Sequence, residues 1–313
     1  MAAFCFALLT GYNSVLNGMQ NAARQRAVVA LHHGLLSWGR FLLAAGMVLW
    51  LGASSATAMM GYCLATVPVL LSQWWFFHHT LKPSSDIAAQ AGDPSENRSW
   101  GAEIVHYSWP FATWGILGWG RLVSDRWALQ VFGTTEDVGF YAVLFQLGYY
   151  PITILTQLVT QLASPICFQR AGDASDSGRI RRVYVLTWRM TAGAIAATLV
   201  VVALAIYLDE TIFQLLVASE YHSVARLLPG MLLAAGLFAS AQCCTVGIQS
   251  HLKTRSLVTP KAVVHSIGVI LNVLGAAWGG IAGVVLANIV YSAMHLLWMV
   301  ILSVAAVREM RNR

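Results

Sequence analysis

The sequence predicts an all-α, polytopic membrane protein of about nine spanning helices, and three observations carry that prediction. Hydrophobic residues make up 58% of the chain and charged residues only 10%, whereas soluble domains carry about 25% charged residues. The apolar residues are gathered into runs of the length a helix needs to cross a bilayer, about 20 residues. The segments between the runs alternate in charge. The formal charge of +6 is therefore read loop by loop and not as a nucleic-acid signal, and no nucleic-acid partner is expected.

The runs fall at about 2–18, 27–51, 56–79, 104–132, 138–168, 184–208, 224–249, 256–278 and 282–306. Arg24 and Arg26 follow the first, and no charge follows the second. Lys82 and Arg98 follow the third, Glu136 and Asp137 the fourth, and Arg170, Arg179, Arg181 and Arg182 the fifth. Asp209, Glu210 and Glu220 follow the sixth, Lys253 and Arg255 the seventh, and Arg308, Arg311 and Arg313 close the chain. Lys and Arg mark cytoplasmic loops, so every basic loop falls on one side and the C-terminus is expected in the cytoplasm. The polar stretch 80–103, with Pro83, Ser84, Ser85, Gly92, Asp93, Pro94 and Ser95, reads as a linker. It separates a partial N-terminal helical lobe (1–79) from a six-helix C-terminal lobe (104–313). The run at Met1 has neither a basic start nor a clear cleavage site, so it does not read as a signal peptide.

An internal repeat supports this division. Gly18-Met19-Gln20-Asn21-Ala22-Ala23-Arg24-Gln25-Arg26-Ala27-Val28-Val29 aligns with Gly247-Ile248-Gln249-Ser250-His251-Leu252-Lys253-Thr254-Arg255-Ser256-Leu257-Val258 at an offset of 229, which Tyr62 and Tyr291 share. Gly, Gln, Arg and Val match by identity, and Arg24 matches Lys253 by charge. The three spans before the linker then correspond to the last three after it. Two pseudo-repeated bundles of this kind are a common transporter design. On this reading about three helices that would precede Met1 are missing, and the chain is expected to be an N-terminally truncated product or the product of a fragmentary gene.

Polar residues inside the runs are the candidate functional residues, because a charge in a span costs at least about 2.5–3.5 kcal/mol and faces a partner or a wet cavity. In 104–132, Trp114, Gly118, Arg121 and Asp125 share one helical face, with Ile116, Val123 and Trp127 off it. In 138–168, Gln146, Tyr149, Tyr150, Thr153, Gln157, Thr160, Gln161 and Ser164 form a stripe opposite Leu144, Ile152, Leu155, Leu158 and Leu162. Such a stripe serves either a hydrated wall or helix–helix hydrogen bonding. Pro151 is expected to kink this helix and free a carbonyl. Arg40 lies 14 residues past Arg26, roughly 20 Å at 1.5 Å per residue, too deep to snorkel easily. It either pairs with a carboxylate or lines a cavity. Arg189 and Arg226 lie near span ends, where snorkelling accounts for them. His265, Asn272, Asn288 and His295 read as packed, hydrogen-bonded groups. His32-His33 and His78-His79 are neighbours pointing about 100° apart and make no metal site alone. Cys5, Cys63, Cys167, Cys243 and Cys244 lack metal-ligand spacing and read as buried thiols. No P-loop, HExxH, CxxC or nucleophile elbow is present, and the outer acidic loops are too brief for a sugar-binding domain. No cofactor or metal and no enzymatic activity is expected.

One further pattern is familiar. Asp125-Arg126-Trp127-Ala128-Leu129-Gln130-Val131-Phe132-Gly133 followed by Val138-Gly139-Phe140-Tyr141-Ala142 resembles the polysaccharide exporters and O-antigen flippases of the multidrug/oligosaccharidyl-lipid/polysaccharide (MOP) flippase superfamily. Asn21-Ala22-Ala23-Arg24-Gln25-Arg26 is similar to the loop between their fourth and fifth helices. The resemblance covers nearly the whole chain, and it implies two bundles around a central cavity, in the cell (inner) membrane. It further implies an undecaprenyl-diphosphate-linked oligosaccharide substrate, moved to the outer leaflet for surface polysaccharide assembly. The lipid bilayer and other polysaccharide-assembly membrane proteins are the partners it suggests. On that footing Arg40 and Arg121 are expected to hold the diphosphate through charge-assisted bonds. Asp125 and Arg126 are expected to form a polar ring or gate, and Gln146, Tyr149, Gln157 and Gln161 to meet the sugars. Three alternatives stay open: a cation-coupled multidrug exporter of the same superfamily, a membrane glycan polymerase or ligase, and a non-functional remnant.

Overall fold

A computed structural model describes residues 2–22, 25–80, 100–172, 176–251 and 254–311 of the chain. Among them every regular element is helical, as the apolar runs require. The bulk of the expected linker at 80–103, together with Arg24, Lys82, Arg98, Lys253 and Arg313 of the basic segments, lies outside the described residues. The chain divides into two compact units, Met1–Arg98 and Ser99–Arg313.

The first unit holds α1 (Ala2–Ala22), α2 (Arg26–Leu51) and α3 (Ser55–Thr80). Gly52, at φ 95°, ends α2, and the Ser54 hydroxyl accepts from Thr57 N (3.1 Å) to start α3. α3 packs against both other helices. Its contact with α1 is sewn by amides: Asn13 Nδ2 donates to Gln73 Oε1 (2.6 Å), and Gln73 Nε2 donates to Gln20 Oε1 (3.0 Å). Side-chain amides buried in a bilayer hold helices together because hydrocarbon offers them no other partner.

The second unit begins with α4 (Trp100–Phe132) and turns at Gly133. Thr134 then caps α5 (Thr135–Leu144) in a reciprocal box: Asp137 N donates to Thr134 Oγ1 (3.1 Å) and Thr134 N donates to Asp137 Oδ2 (2.8 Å). α5 continues through a π-helical turn, Phe145–Tyr149, into α6 (Tyr150–Ala171). α7 (Ser177–Leu216), a 3₁₀ segment (Ser219–Leu227) and α8 (Leu228–Ser250) follow, and a short 3₁₀ turn (Thr254–Leu257) leads into α9 (Val258–Arg311). α9 is two arms: Gly280, at φ 52°, breaks the helix, and only glycine takes that conformation without strain. The arms run back on each other, and a side chain at Gly275 would collide with the backbone of Gly283. Gly275 thus serves close packing against Gly283.

Each of the nine expected spans has its helix, with 138–168 running through the π turn and the last two forming the arms of α9. By length and hydropathy alone, six stretches among the described residues could cross a membrane. α4, with its charges, and α1, with its amides, fall outside that count, and α9 enters it once. α8 is the most buried, and α6, α7 and α9 pack around it. It is rich in Ala, Gly, Ser and Cys, which let the neighbouring backbones come close.

Candidate binding cavity

Within the second unit, the polar face of α4 meets both arms of α9. Arg121 is buried, and its guanidinium donates to the side-chain oxygen of Asn288 and lies 4.0 Å from the ring centroid of Tyr291. The Asn288 amide donates to Tyr141 Oη (3.2 Å) and to Val284 O (2.9 Å). Tyr141 in turn donates to Asp125 Oδ2 (2.7 Å), whose other oxygen accepts from Arg126 N (2.7 Å). A guanidinium and a carboxylate one helical turn apart are thus linked through two neutral side chains. Asn272 steadies the same stretch, donating to Ser124 Oγ (2.8 Å).

Beside this network is a cavity of about 510 Å³, within the usual range of about 300–1,000 Å³ for ligand sites. Arg121, Arg126 and Lys261 bring three cationic side chains to its wall, and His265, His295, Tyr149 and Tyr291 bring rings. Among the described residues no carboxylate lines it. Two of the cations lie over aromatic faces, contacts that use no N–H donor: Lys261 Nζ lies 3.6 Å from the centroid of Trp114, and Arg126 Cζ 4.9 Å from that of Phe145. Arg121 Nε and both ring nitrogens of His295 are buried with no hydrogen-bond partner. Buried polar atoms are normally satisfied, so this wall has donor capacity that packing does not use.

A second cavity of about 380 Å³ adjoins the first and shares Thr153, Gln157, Phe238 and Gln242 with it. It runs between α6 and α8, and its wall carries hydroxyls and amides but no charge. The opposite flank of α6, together with α7 and α8, forms an apolar groove lined by Ile152, Leu155, Val159 and Ala197.

The structure therefore brings together Arg121, Arg126, Gln146, Tyr149 and Gln157 of the expected site. Asp125 is fully buried in the network behind the wall. Gln161 is exposed on α6 and is not among the cavity-lining residues. Arg40 belongs to the first unit, where it donates to Thr66 Oγ1 (3.3 Å) and Thr10 Oγ1 (3.2 Å) and lies 4.8 Å from the ring centroid of Phe6. α1, α2 and α3 contain no Asp or Glu, so no ion pair forms within them. Arg189 and Arg226 are exposed.

Sequence reasoning passed over Lys261 and Gln242 and read His265 and His295 as packing residues. A signal was present: Lys261 and His265 are four apart, and Asn288, Tyr291 and His295 are spaced three and four apart, one face on each arm.

No protein-family model matches the sequence, and no curated protein matches it. Solved structures do resemble the fold. A MATE protein in a bent conformation aligns with a TM-score of 0.66 at 15% identity, over 99% of this chain and 69% of that one. A MATE point mutant gives 0.63 at 14%, over 98% and 68%. The outward-facing conformation of a multidrug resistance MATE family transporter of the MOP superfamily gives 0.59 at 14%, over 96% and 66%. The chain thus spans about two thirds of the length of these structures, and its fold resembles theirs.

Proposed function

We propose that the protein is a transporter of the flippase type, moving an oligosaccharide joined through a diphosphate to a long prenyl lipid across the cell membrane, for assembly of a surface polysaccharide. The observation that carries the proposal is the cavity wall of Arg121, Arg126 and Lys261, three cationic side chains with no described carboxylate lining the cavity beside them. A diphosphate is a compact anion, and guanidinium groups match its oxygens with paired charge-assisted bonds. Three cations repel a cationic drug. Arg40 is proposed to act on the same anion, and the amides and hydroxyls of α6 on the sugars. The prenyl chain stays in the bilayer, and the apolar flank of α6 suits such a chain. Transport then proceeds by alternating access, as a rocking of one helical bundle against the other.

The MATE likeness is equally consistent with a second reading, a cation-coupled multidrug exporter, and Asp125 is the observation in its favour: a carboxylate deep inside a span. Reconstituted vesicles separate the two. A fluorescent undecaprenyl-diphosphate oligosaccharide is expected to cross the bilayer in vesicles holding the wild-type protein. With Arg126→Gln or Lys261→Gln the rate at subsaturating substrate is expected to fall about tenfold or more, the effect of removing one charged hydrogen bond of about 1.5–3 kcal/mol. Efflux of cationic dyes, with no movement of the labelled lipid, would transfer the case to the exporter.

A further inference from the structure

We propose that the uncharged cleft between α6 and α8 is a subsite for a neutral sugar, the one next to the diphosphate, and that Gln249 and Gln242 help to select it. The inference rests on the reading of the adjoining cavity as the diphosphate site.

The chemistry of the wall points to carbohydrate. Thr153, Thr160 and Thr245 spend their protons on carbonyls of their own helices: Thr153 to Tyr150 O (2.7 Å), Thr160 to Thr156 O (2.8 Å) and Thr245 to Ala241 O (3.0 Å). Their oxygens keep lone pairs that a sugar hydroxyl can donate to. Gln157, Gln242 and Gln249 add amides, each able to donate and accept, and none of the three is bonded to another described side chain. Phe238 supplies an apolar ring at the junction of the two cavities. Hydroxyl and amide partners beside one aromatic face are what a pyranose presents surfaces for, and the volume of about 380 Å³ lies in the range of small-ligand sites. A charged sugar would be desolvated there without a counter-charge, which is costly.

The internal repeat gives an independent argument. Gln249 and Gln20 occupy equivalent positions. Gln20 is fully buried and bonded to Gln73. At the same offset Gln73 corresponds to Leu302, which gives Gln249 no such partner. The first unit uses this glutamine to join helices, and the second leaves it facing a cleft.

Binding to the purified full-length chain tests the proposal with three probes: undecaprenyl diphosphate alone, the same lipid bearing a neutral disaccharide, and the same lipid bearing a uronic-acid disaccharide. The neutral disaccharide is expected to tighten binding over the bare lipid, and the uronic acid is expected to bind more weakly than the neutral sugar. Gln249→Leu and Thr160→Val are each expected to remove about 5- to 10-fold of the sugar-dependent gain, one to two hydrogen bonds' worth, while binding of the bare lipid reports that the variant is folded. The subsite is refuted if the sugar adds no affinity, if the variants weaken the bare lipid and the glycolipid alike, or if the uronic acid binds as well as the neutral sugar. If none of the three lipids binds, the diphosphate reading falls and the subsite with it.

Discussion

Asn288 links the guanidinium of Arg121 to Tyr141, which bonds Asp125, with every polar atom of its side chain in use. Its oxygen accepts from Arg121 and its amide donates to Tyr141 and Val284. Asn288→Leu would leave a buried guanidinium without that acceptor and Tyr141 without that donor, at a cost of about 1–3 kcal/mol. A lower melting temperature in detergent, with weaker anion binding, is the expected result; an unchanged melt would mean that the network carries no stability. Asp125 divides the two functional readings. As part of the scaffold it only accepts hydrogen bonds, from Tyr141 and from Arg126 N. Asp125→Asn keeps one acceptor, so lipid flipping is expected to stay within about threefold of wild type and the stability to fall by about 1 kcal/mol. Loss of transport with an intact melt would instead mark Asp125 as a coupling carboxylate. The sequence made Arg121 and Asp125 conspicuous, since a charge in an apolar run is an anomaly at any depth. It could not reveal that Asp125 lies behind the wall, because that depends on Tyr141 of α5 coming opposite. Lys261 escaped notice because it falls near the start of its run, where a lysine is read as snorkelling.

At the level of elements, two local breaks in helical geometry build the cavity. The first is the π turn Phe145–Tyr149, directly before Pro151. Proline has no N–H, and its ring crowds the carbonyl four residues back, so the preceding turn widens. The expected kink is this change of register. It explains why the stripe read along 138–168 is not continuous: Leu144, before the turn, is fully buried, whereas Leu155, Leu158 and Leu162, after it, are exposed. A single helical wheel cannot represent an inserted residue, and for this reason the turn was not legible in the sequence, although its proline was. Inside the turn Gly148 lies so close to Met231 that an added Cβ would come within 2.8 Å of Met231 Cγ. Gly148→Leu is expected to cost about 1–3 kcal/mol by overpacking. Adding Met231→Ala should recover part of that loss, and thermal melts of the single and double variants measure the recovery. The second break is the hairpin of α9 at Gly280, foreshadowed by two apolar runs separated by Gly279-Gly280. Gly283→Leu would drive the arms apart at Gly275 and with them displace Asn288, Tyr291 and His295, so stability and anion binding should fall together. Gly279→Ala meets nothing within 4 Å and is expected to melt like wild type, as the control.

For the whole molecule, the proposed function requires both units to act on one anion. Each carries an arginine well inside a span, and the two are held alike. Arg40 rests on Phe6 and two threonine hydroxyls, and Arg121 on Tyr291 and an asparagine oxygen. Neither donates directly to a carboxylate in these contacts. A guanidinium held by neutral acceptors is not locked in a direct ion pair, so an anionic ligand can still compete for it. The twofold logic was legible early, because α1 corresponds to α8, and α2 and α3 to the arms of α9, at the offset of 229. The arginines themselves do not follow the offset: the position equivalent to Arg40 is Val269, in the first arm of α9, and the arginine of the second unit's network comes from α4. Repetition thus accounts for the helices and not for the charges. A double-mutant cycle with Arg40→Gln and Arg121→Gln tests the functional link and needs no distance between the two side chains. If both grip one diphosphate, each single change should weaken binding of undecaprenyl diphosphate about tenfold or more. The double change should then cost less than the product of the two, with a coupling of at least about 0.5 kcal/mol. Strictly multiplicative losses would assign the arginines to separate tasks, and no loss from Arg40→Gln would leave the second unit to hold the anion alone.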